Sequence, residues 1–191
     1  MLVLLKGDFS MEKIIIIPTG DEIYEGILID TNSPKIMARL IEKYPTASIK
    51  RNKPIRDKKK LITTSINDSV KKGYQLILTI GGTGGGGKST KSLANDYSHE
   101  SILQLASDYE TISIYGYNGH LWSKIVVAII DNSLVITLPG PQIEALAALD
   151  AALNSINKTL NKREICENIA NAVIGKYPNK EENREIRHTH S

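Results

Sequence analysis

Three short segments of this sequence have the residue types that hold anions: Thr19-Gly20-Asp21-Glu22, the glycine run Gly81 to Gly87, and Leu138-Pro139-Gly140-Pro141. Glycine lets a backbone approach a phosphate closely and adopt positive φ, so amides converge on the anion with no side chain in the way. Thr19 and Thr83 add hydroxyl donors to two of the loops. The same residues also build ordinary tight turns, so their placement in the fold decides between the two.

The glycine run offers a second chemistry. Gly82 to Ser89 formally satisfies the Walker A pattern, in which Lys88 would reach the β- and γ-phosphates and Ser89 would hold magnesium. Val126–Asp131, an apolar run ending in a carboxylate, imitates its Walker B partner. A P-loop nucleotide-binding protein is therefore one alternative. Against it, a P-loop leads at once into a helix with an apolar face, whereas Ser89–Ser98 is polar and poorly periodic. Asp131 also fits a turn residue.

The elements that must position these loops follow from apolar periodicity. Ile14–Ile17 reads as a buried parallel strand, and Leu76–Ile80 as another. Ala47–Lys50 is a weaker strand. Ile36, Met37, Leu40 and Ile41 recur at helical spacing after Asn32-Ser33-Pro34, a good helix start. Leu61, Ile62, Ile66 and Val70 mark a helix closed by Gly73. A helix is expected from Glu100 to Tyr109. Lys124–Ile130 and Leu134–Leu138 flank Asp131-Asn132-Ser133 as a β-hairpin. Helices carrying Ile143 to Leu153 and spanning Lys162 to Ile174 complete the pattern. Strands alternating with helices predict a three-layer α/β/α sandwich with a mostly parallel sheet. Residues 1–176 read as a single domain, and 177–191 as a charged, flexible tail holding His188 and His190.

Composition narrows the function classes. The 191 residues, 41% hydrophobic, contain no apolar run near the length of about 18 that crosses a bilayer, and Leu2–Leu5 is too short for a signal peptide. A cytoplasmic protein is expected. Cys166 is the only cysteine and sits among Ile165, Ile169 and Ala170, which fits a buried thiol. The net charge of +3 is mild. Lys50–Lys60 lacks the interleaved aromatics of a single-strand binder, so no nucleic-acid partner is indicated. His120 and Trp122 precede the hairpin and are candidates to line a ligand cleft; Trp122 serves equally as a packing residue.

Taken in order, Pro18-Thr-Gly-Asp-Glu22, Asp30-Thr-Asn32, Ile55-Arg-Asp57, Gly81-Gly-Thr-Gly84 and Leu138-Pro-Gly140 resemble the molybdopterin-binding domain of molybdenum-cofactor biosynthesis proteins. The group comprises the MogA/MoaB, MoeA and CinA-like proteins, and the likeness covers residues 13 to 155. It implies a MogA-like fold binding a pterin dithiolene phosphate near Gly81–Gly84, in a homo-oligomer, a trimer being the expectation. In the adenylyltransferase branch it implies adenylyl transfer from ATP to molybdopterin with magnesium. On that reading Asp21, Glu22 and Asp30 supply carboxylates, Asp21 and Asp30 as metal ligands. Lys88 neutralises a phosphate, and Thr19, Gly20, Gly81, Gly82, Thr83, Gly84, Pro139 and Gly140 surround the ligand. The family usually closes its glycine loop with an Asp; here Ser89 stands there, which cannot act as a carboxylate. Asp96, seven residues on, replaces it if the loop is extended, or else caps the next helix. A non-catalytic molybdopterin- or pterin-binding protein is the other reading.

Overall fold

The computed structural model describes residues 11–83, 97–116, 119, 121–158 and 161–176, and the backbone of 185–190. Its centre is a seven-stranded sheet in the order β2-β1-β3-β6-β5-β4-β7. β1 (Lys13–Pro18) pairs in parallel with β2 (Ser48–Arg51) on one side and β3 (Leu76–Ile80) on the other, and β3 pairs in parallel with β6 (Ser133–Leu138). The remaining pairings, of β5 (Leu121–Ile130) with β6, β4 (Asp108–Tyr115) with β5, and β7 (Glu185–His190) with β4, are antiparallel. Five strands, β1, β2, β3, β4 and β6, thus share one direction.

β1, β3 and β6 are apolar on both faces because both are covered, the condition under which parallel strands read as continuous apolar runs. On one face α2 (Asn32–Lys43), α5 (Gln142–Ile156) and α6 (Lys162–Ile174) bury Ile36, Leu40, Leu149, Ile165 and Ile169 against Ile14, Ile16, Leu76 and Leu78. On the other, α3 (Lys59–Lys71) and α4 (Tyr97–Leu105) bury Ile62, Ile66 and Ile102 against Ile15, Ile17 and Ile77. The three-layer α/β/α architecture is therefore as the periodicity predicts. Among the described residues no helix is long and apolar enough to cross a membrane. Cys166 is buried between α6 and the sheet, and that burial pushes its thiol well up from its ordinary pKa.

Four elements differ from the sequence reading. The helix expected to reach Tyr109 stops at Leu105, and β4 follows within three residues. β4 escapes a hydrophobicity pattern because Thr111 and Ser113 occupy buried positions on the face opposite Ile112 and Ile114. α1 (Asp21–Tyr24), a single turn with no buried residue, leaves no apolar signature. Beyond residue 184 the tail is not free of structure. Its backbone adds β7 to the β4 edge, which needs main-chain hydrogen bonds and no apolar anchor.

Candidate functional site

From β1 the chain runs to β2 by way of α2 on one face, then crosses back past β1 from β2 to β3 by way of α3 on the other. Such a reversal opens a crevice at the carboxyl ends of the strands, where the loops diverge and backbone amides remain available to a ligand. The loops after β1, β3 and β6 meet there. The Thr19 amide donates to the Ile80 carbonyl (2.8 Å), and the Gly81 amide donates to the Leu138 carbonyl (3.0 Å). All three predicted glycine and proline segments thus lie side by side at one edge of the sheet.

Gly81 and Gly82 are required by this closeness. Gly81 has φ +92°, and a Cβ on it would stand 2.7 Å from the Thr19 carbonyl oxygen. Gly82 has φ +64°, and its Cβ would fall 2.6 Å from Ser98 Oγ and 3.3 Å from Asp57 Oδ1. The crevice floor is thus bare backbone between two polar side chains.

The threonine hydroxyls do not supply the ligand donors that their residue type suggests. Thr19 is 2% exposed; its Oγ1 donates to the Ile80 carbonyl (3.1 Å) and lies 3.1 Å from Ser98 Oγ. Thr83 is 3% exposed; its Oγ1 accepts from Ser123 Oγ (3.3 Å), while its carbonyl accepts from the Lys124 amide (2.6 Å). Both hydroxyls fasten the loops to the sheet. What they leave to a ligand is main chain.

Asp30 also turns inward. Its Oδ1 accepts from the amides of Asn32 (3.2 Å) and Ser33 (2.9 Å), and its Oδ2 from Ser33 Oγ (2.5 Å) and from Nε (2.9 Å) and Nη2 (2.7 Å) of Arg51. Burial pushes its carboxyl up, but the Ser33 hydroxyl and amide and the Arg51 guanidinium outweigh this and hold it below the usual carboxylate range. This carboxylate caps α2 and leaves little lone-pair capacity for a metal. Asp30→Ala is expected to cost about 1–2 kcal/mol, as lost helix caps do, and to lower the melting temperature by roughly 4–6 °C. In the native chain this contribution is present above pH 4 and is lost as the pH falls through the depressed Asp30 value, a difference that thermal denaturation of both proteins from pH 7 to pH 3 measures.

The capped end of α2 is stapled to the third loop. Asn32 Nδ2 donates to the Gly140 carbonyl (2.7 Å), and Gln142 Nε2 donates to the carbonyl (3.0 Å) and hydroxyl (3.1 Å) of Thr31. Pro139 is buried and Gly140 exposed. Asn32 is 9% exposed, and its Oδ1 is buried with no hydrogen-bond partner among the described residues.

The carboxylates that face the crevice are Asp21, Glu22 and Asp57. Gly20, at φ +141°, leads into α1, placing Asp21 and Glu22 in its exposed first turn. A parallel bridge between Thr19 and Ile55 carries the chain from β2 alongside: the Ile55 amide donates to the Pro18 carbonyl and the Gly20 amide to the Ile55 carbonyl, both at 3.0 Å. Two residues later the Asp57 amide donates to Asp21 Oδ1 (3.2 Å). Asp57 Oδ1 is buried with no partner among the described residues. Burial, together with the charges of Asp21 and Glu22, raises the Asp57 carboxyl to about 6. Nearby, the His99 ring is hydrogen-bonded to the Gly82 backbone, and burial followed by Lys124 pushes it down to about 4, so it is neutral at neutral pH. Among the described residues no three His, Cys, Asp or Glu converge into a metal-holding group.

Asp57 is the residue that sequence reasoning leaves without a role, although Ile55-Arg-Asp57 is one of the segments carrying the resemblance. Its placement depends on a long-range bridge and on burial, neither of which has a local sequence signature. Asn32, Ser98 and His99 are missed for the same reason. Trp122 is not a cleft residue: it packs against the α2, α5 and α6 side of the core, with its indole on Gly116. Asp131 occupies the β5–β6 turn at φ 51°, at the opposite edge of the sheet from Gly81, so it cannot serve a nucleotide on the glycine loop. Gly84, Lys88, Ser89, Asp96 and His120 lie outside the described residues.

Comparison with known proteins agrees with this geometry. The chain is 27% identical over 174 residues to a CinA-like protein of Thermosipho melanesiensis, a match that covers 78% of this chain and 42% of that one. The chain therefore spans less than half the length of that relative. Among solved structures, the protein CinA of Thermoplasma acidophilum superposes with a TM-score of 0.57 at 15% identity, covering 76% of this chain and 98% of that one. The tungsten cofactor synthesizing protein MoaB of Pyrococcus furiosus superposes with a TM-score of 0.55 at 20% identity, covering 87% and 99%. These superpositions establish a shared fold. The family model described as a probable molybdopterin binding domain matches residues 15–158, which span the sheet from β1 to β6 and all three crevice loops. This chain therefore belongs to the probable molybdopterin binding domain family.

Proposed function

We propose that this chain binds molybdopterin by its terminal phosphate in the crevice beyond β1, β3 and β6, and adenylylates it with ATP. The observation that carries the proposal is the buried Asp57 Oδ1, which has no hydrogen-bond partner among the described residues and is set between the bare backbone of Gly82 and the carboxylates of Asp21 and Glu22. A buried acceptor without a partner costs about 1–3 kcal/mol, so such an atom persists where a ligand completes it. Asn32 Oδ1, at the Gly140 side, is a second such acceptor. A pterin ring, rich in N–H donors, matches the Asn32 end, and a phosphate matches the glycine backbone.

In adenylyl transfer an oxygen of the molybdopterin phosphate attacks the α-phosphorus of ATP, and the bond from that phosphorus to the bridging oxygen of pyrophosphate breaks. Magnesium would neutralise the triphosphate and the departing pyrophosphate. Asp57, Asp21 and Glu22 fit it as carboxylates at the rim of the crevice. Because they form no ready cage, the cation would arrive with its phosphate and water ligands. Asp57 and Asp21 orient the nucleotide, the Gly82 main-chain amide holds the accepting phosphate, Gly81 brings the backbone close by lacking a side chain while its own amide ties the loop to Leu138, and Asp30 positions α2 through its cap. Gly84, Lys88, Ser89 and Asp96 belong to the same proposal as phosphate-binding and carboxylate residues. Incubation with molybdopterin, ATP and magnesium tests it: adenylylated molybdopterin and pyrophosphate are expected. Binding without either product overturns the transferase and selects a non-catalytic pterin-binding protein.

A homo-oligomer, with a trimer as the expectation, is part of the proposal, as is a cytoplasmic site of action. Ile27, Leu28 and Ile29 follow one another at 73%, 58% and 86% exposure, directly after α1. Consecutive apolar side chains this exposed are unusual on a monomer and suit a subunit contact. Ile27→Ser with Ile29→Ser is expected to convert the oligomer to monomer in sedimentation with little change in melting temperature of the subunit.

A further inference from the structure

The face of the sheet covered by α3 and α4 is incompletely roofed at its β2 edge. α3 lies over β1 and β3 through Ile62 and Ile66, while Ile49 of β2 packs on the opposite face. An open groove of about 570 Å³ remains between β2 and α3, within the range of about 300–1,000 Å³ typical of small-molecule sites. Its apolar floor includes Ile15, Ile55 and Tyr74. Lys50 from β2 and Lys72 from the end of α3 line it, and neither forms an ion pair among the described residues. Asp68, the single acid in the lining, leaves the groove with a net positive charge.

We propose that this groove is a second ligand site, for a small organic anion of mononucleotide size. Lys50 and Lys72 take its phosphate or carboxylate, the apolar floor takes a flat body, and Asp68 accepts from its N–H or O–H groups. The site is wired to the crevice by one segment. Asn52 Nδ2 donates to Ser65 Oγ (3.0 Å) in the groove wall; three residues on, Ile55 bonds Pro18 and Gly20, and Asp57 follows. An occupant that shifts residues 52–57 therefore shifts both Gly20 and Asp57. The site itself stands independently of the reaction proposed for the crevice.

The test is amide NMR on the full chain with AMP, adenosine and inorganic phosphate as probes. AMP is expected to shift the amides of Lys50, Asn52, Ser65 and Lys72 with a saturable midpoint, and Ile55 and Gly20 with the same midpoint. Lys50→Gln with Lys72→Gln should weaken that midpoint about tenfold and leave the AMP response of Gly81 to Thr83 intact. Lys50→Ala with Lys72→Ala is the second variant should the first fail to fold. The proposal is overturned if AMP shifts only the crevice amides, or if the variants leave the groove midpoint unchanged. It is equally overturned if adenosine binds the groove as tightly as AMP, since the lysines then do nothing, or if phosphate does, since the apolar floor then does nothing.

Discussion

Gly81→Ala is expected to abolish binding of molybdopterin and to lower the melting temperature by roughly 8 °C, the largest effect of any single methyl addition in the described crevice. Two costs combine. An L-residue at φ +92° bears a backbone penalty of about 1–2 kcal/mol. The new Cβ then stands 2.7 Å from the Thr19 carbonyl, a main-chain atom that cannot swing aside, so β1 and β3 must part at their carboxyl ends. That parting strains two hydrogen bonds, from the Thr19 amide to Ile80 and from the Gly81 amide to Leu138, which together hold the three loops in register. Gly73→Ala is the matched control. Its φ is +74° and nothing lies within 4 Å of its Cβ, so it carries the conformational penalty alone, at the far end of β3. Calorimetry of both variants with and without ligand separates the effects: Gly73→Ala should lose about 1 kcal/mol of stability and no affinity. Equal affinity in the two variants would remove the Gly81 main chain from the binding site.

The distinction between these two glycines also marks how far the sequence alone reaches. β1 and β3 announce themselves as nearly continuous buried apolar runs, and α6 because its buried residues recur at helical spacing. β4 does not, since Thr111 and Ser113 satisfy buried positions with polar side chains, and a periodicity argument counts them as solvent-facing. The glycine and proline segments are legible as loops, since they end apolar strands. The roles of their side chains are not. Thr19, Thr83 and Asp30 carry residue types that suit ligand contact, yet each is turned into the fold by a partner distant in sequence, respectively Ile80, Ser123 and Arg51. Conversely Asp57 has no distinguishing neighbours within the lysine-rich stretch around it and acquires its character from Gly82, Asp21 and Glu22. Local sequence determines which backbone can bind an anion; tertiary contact determines which carboxylate remains unspent.

Asp57→Asn is expected to make the protein more stable at pH 8 and at least about 100-fold slower in adenylyl transfer, opposite outcomes from one substitution. In the native fold burial and the charges of Asp21 and Glu22 disfavour the ionised form of the Asp57 carboxyl and raise it from an ordinary 3.8 to about 6. A group whose pKa is raised on folding stabilises the fold fully below its unfolded value, and that stabilisation is lost as the pH rises through the folded value. The native protein therefore carries a penalty above pH 6 that the neutral amide escapes. After allowance for solvent screening this gain is about 1–2 kcal/mol at pH 8 and vanishes near pH 4, where both side chains are uncharged. A residue kept only for structure would show no such gain, and its amide variant would keep its activity. Under the proposed function an ionised Asp57 is what a magnesium nucleotide would require, so turnover in the native protein should rise with pH through 6 while stability falls. Asp21→Asn supplies the converse test. Removing that neighbour lowers the Asp57 pKa, so the rising limb of the pH–rate profile should move to lower pH. An unmoved limb would assign the titration to another group and with it the proposed role of Asp57.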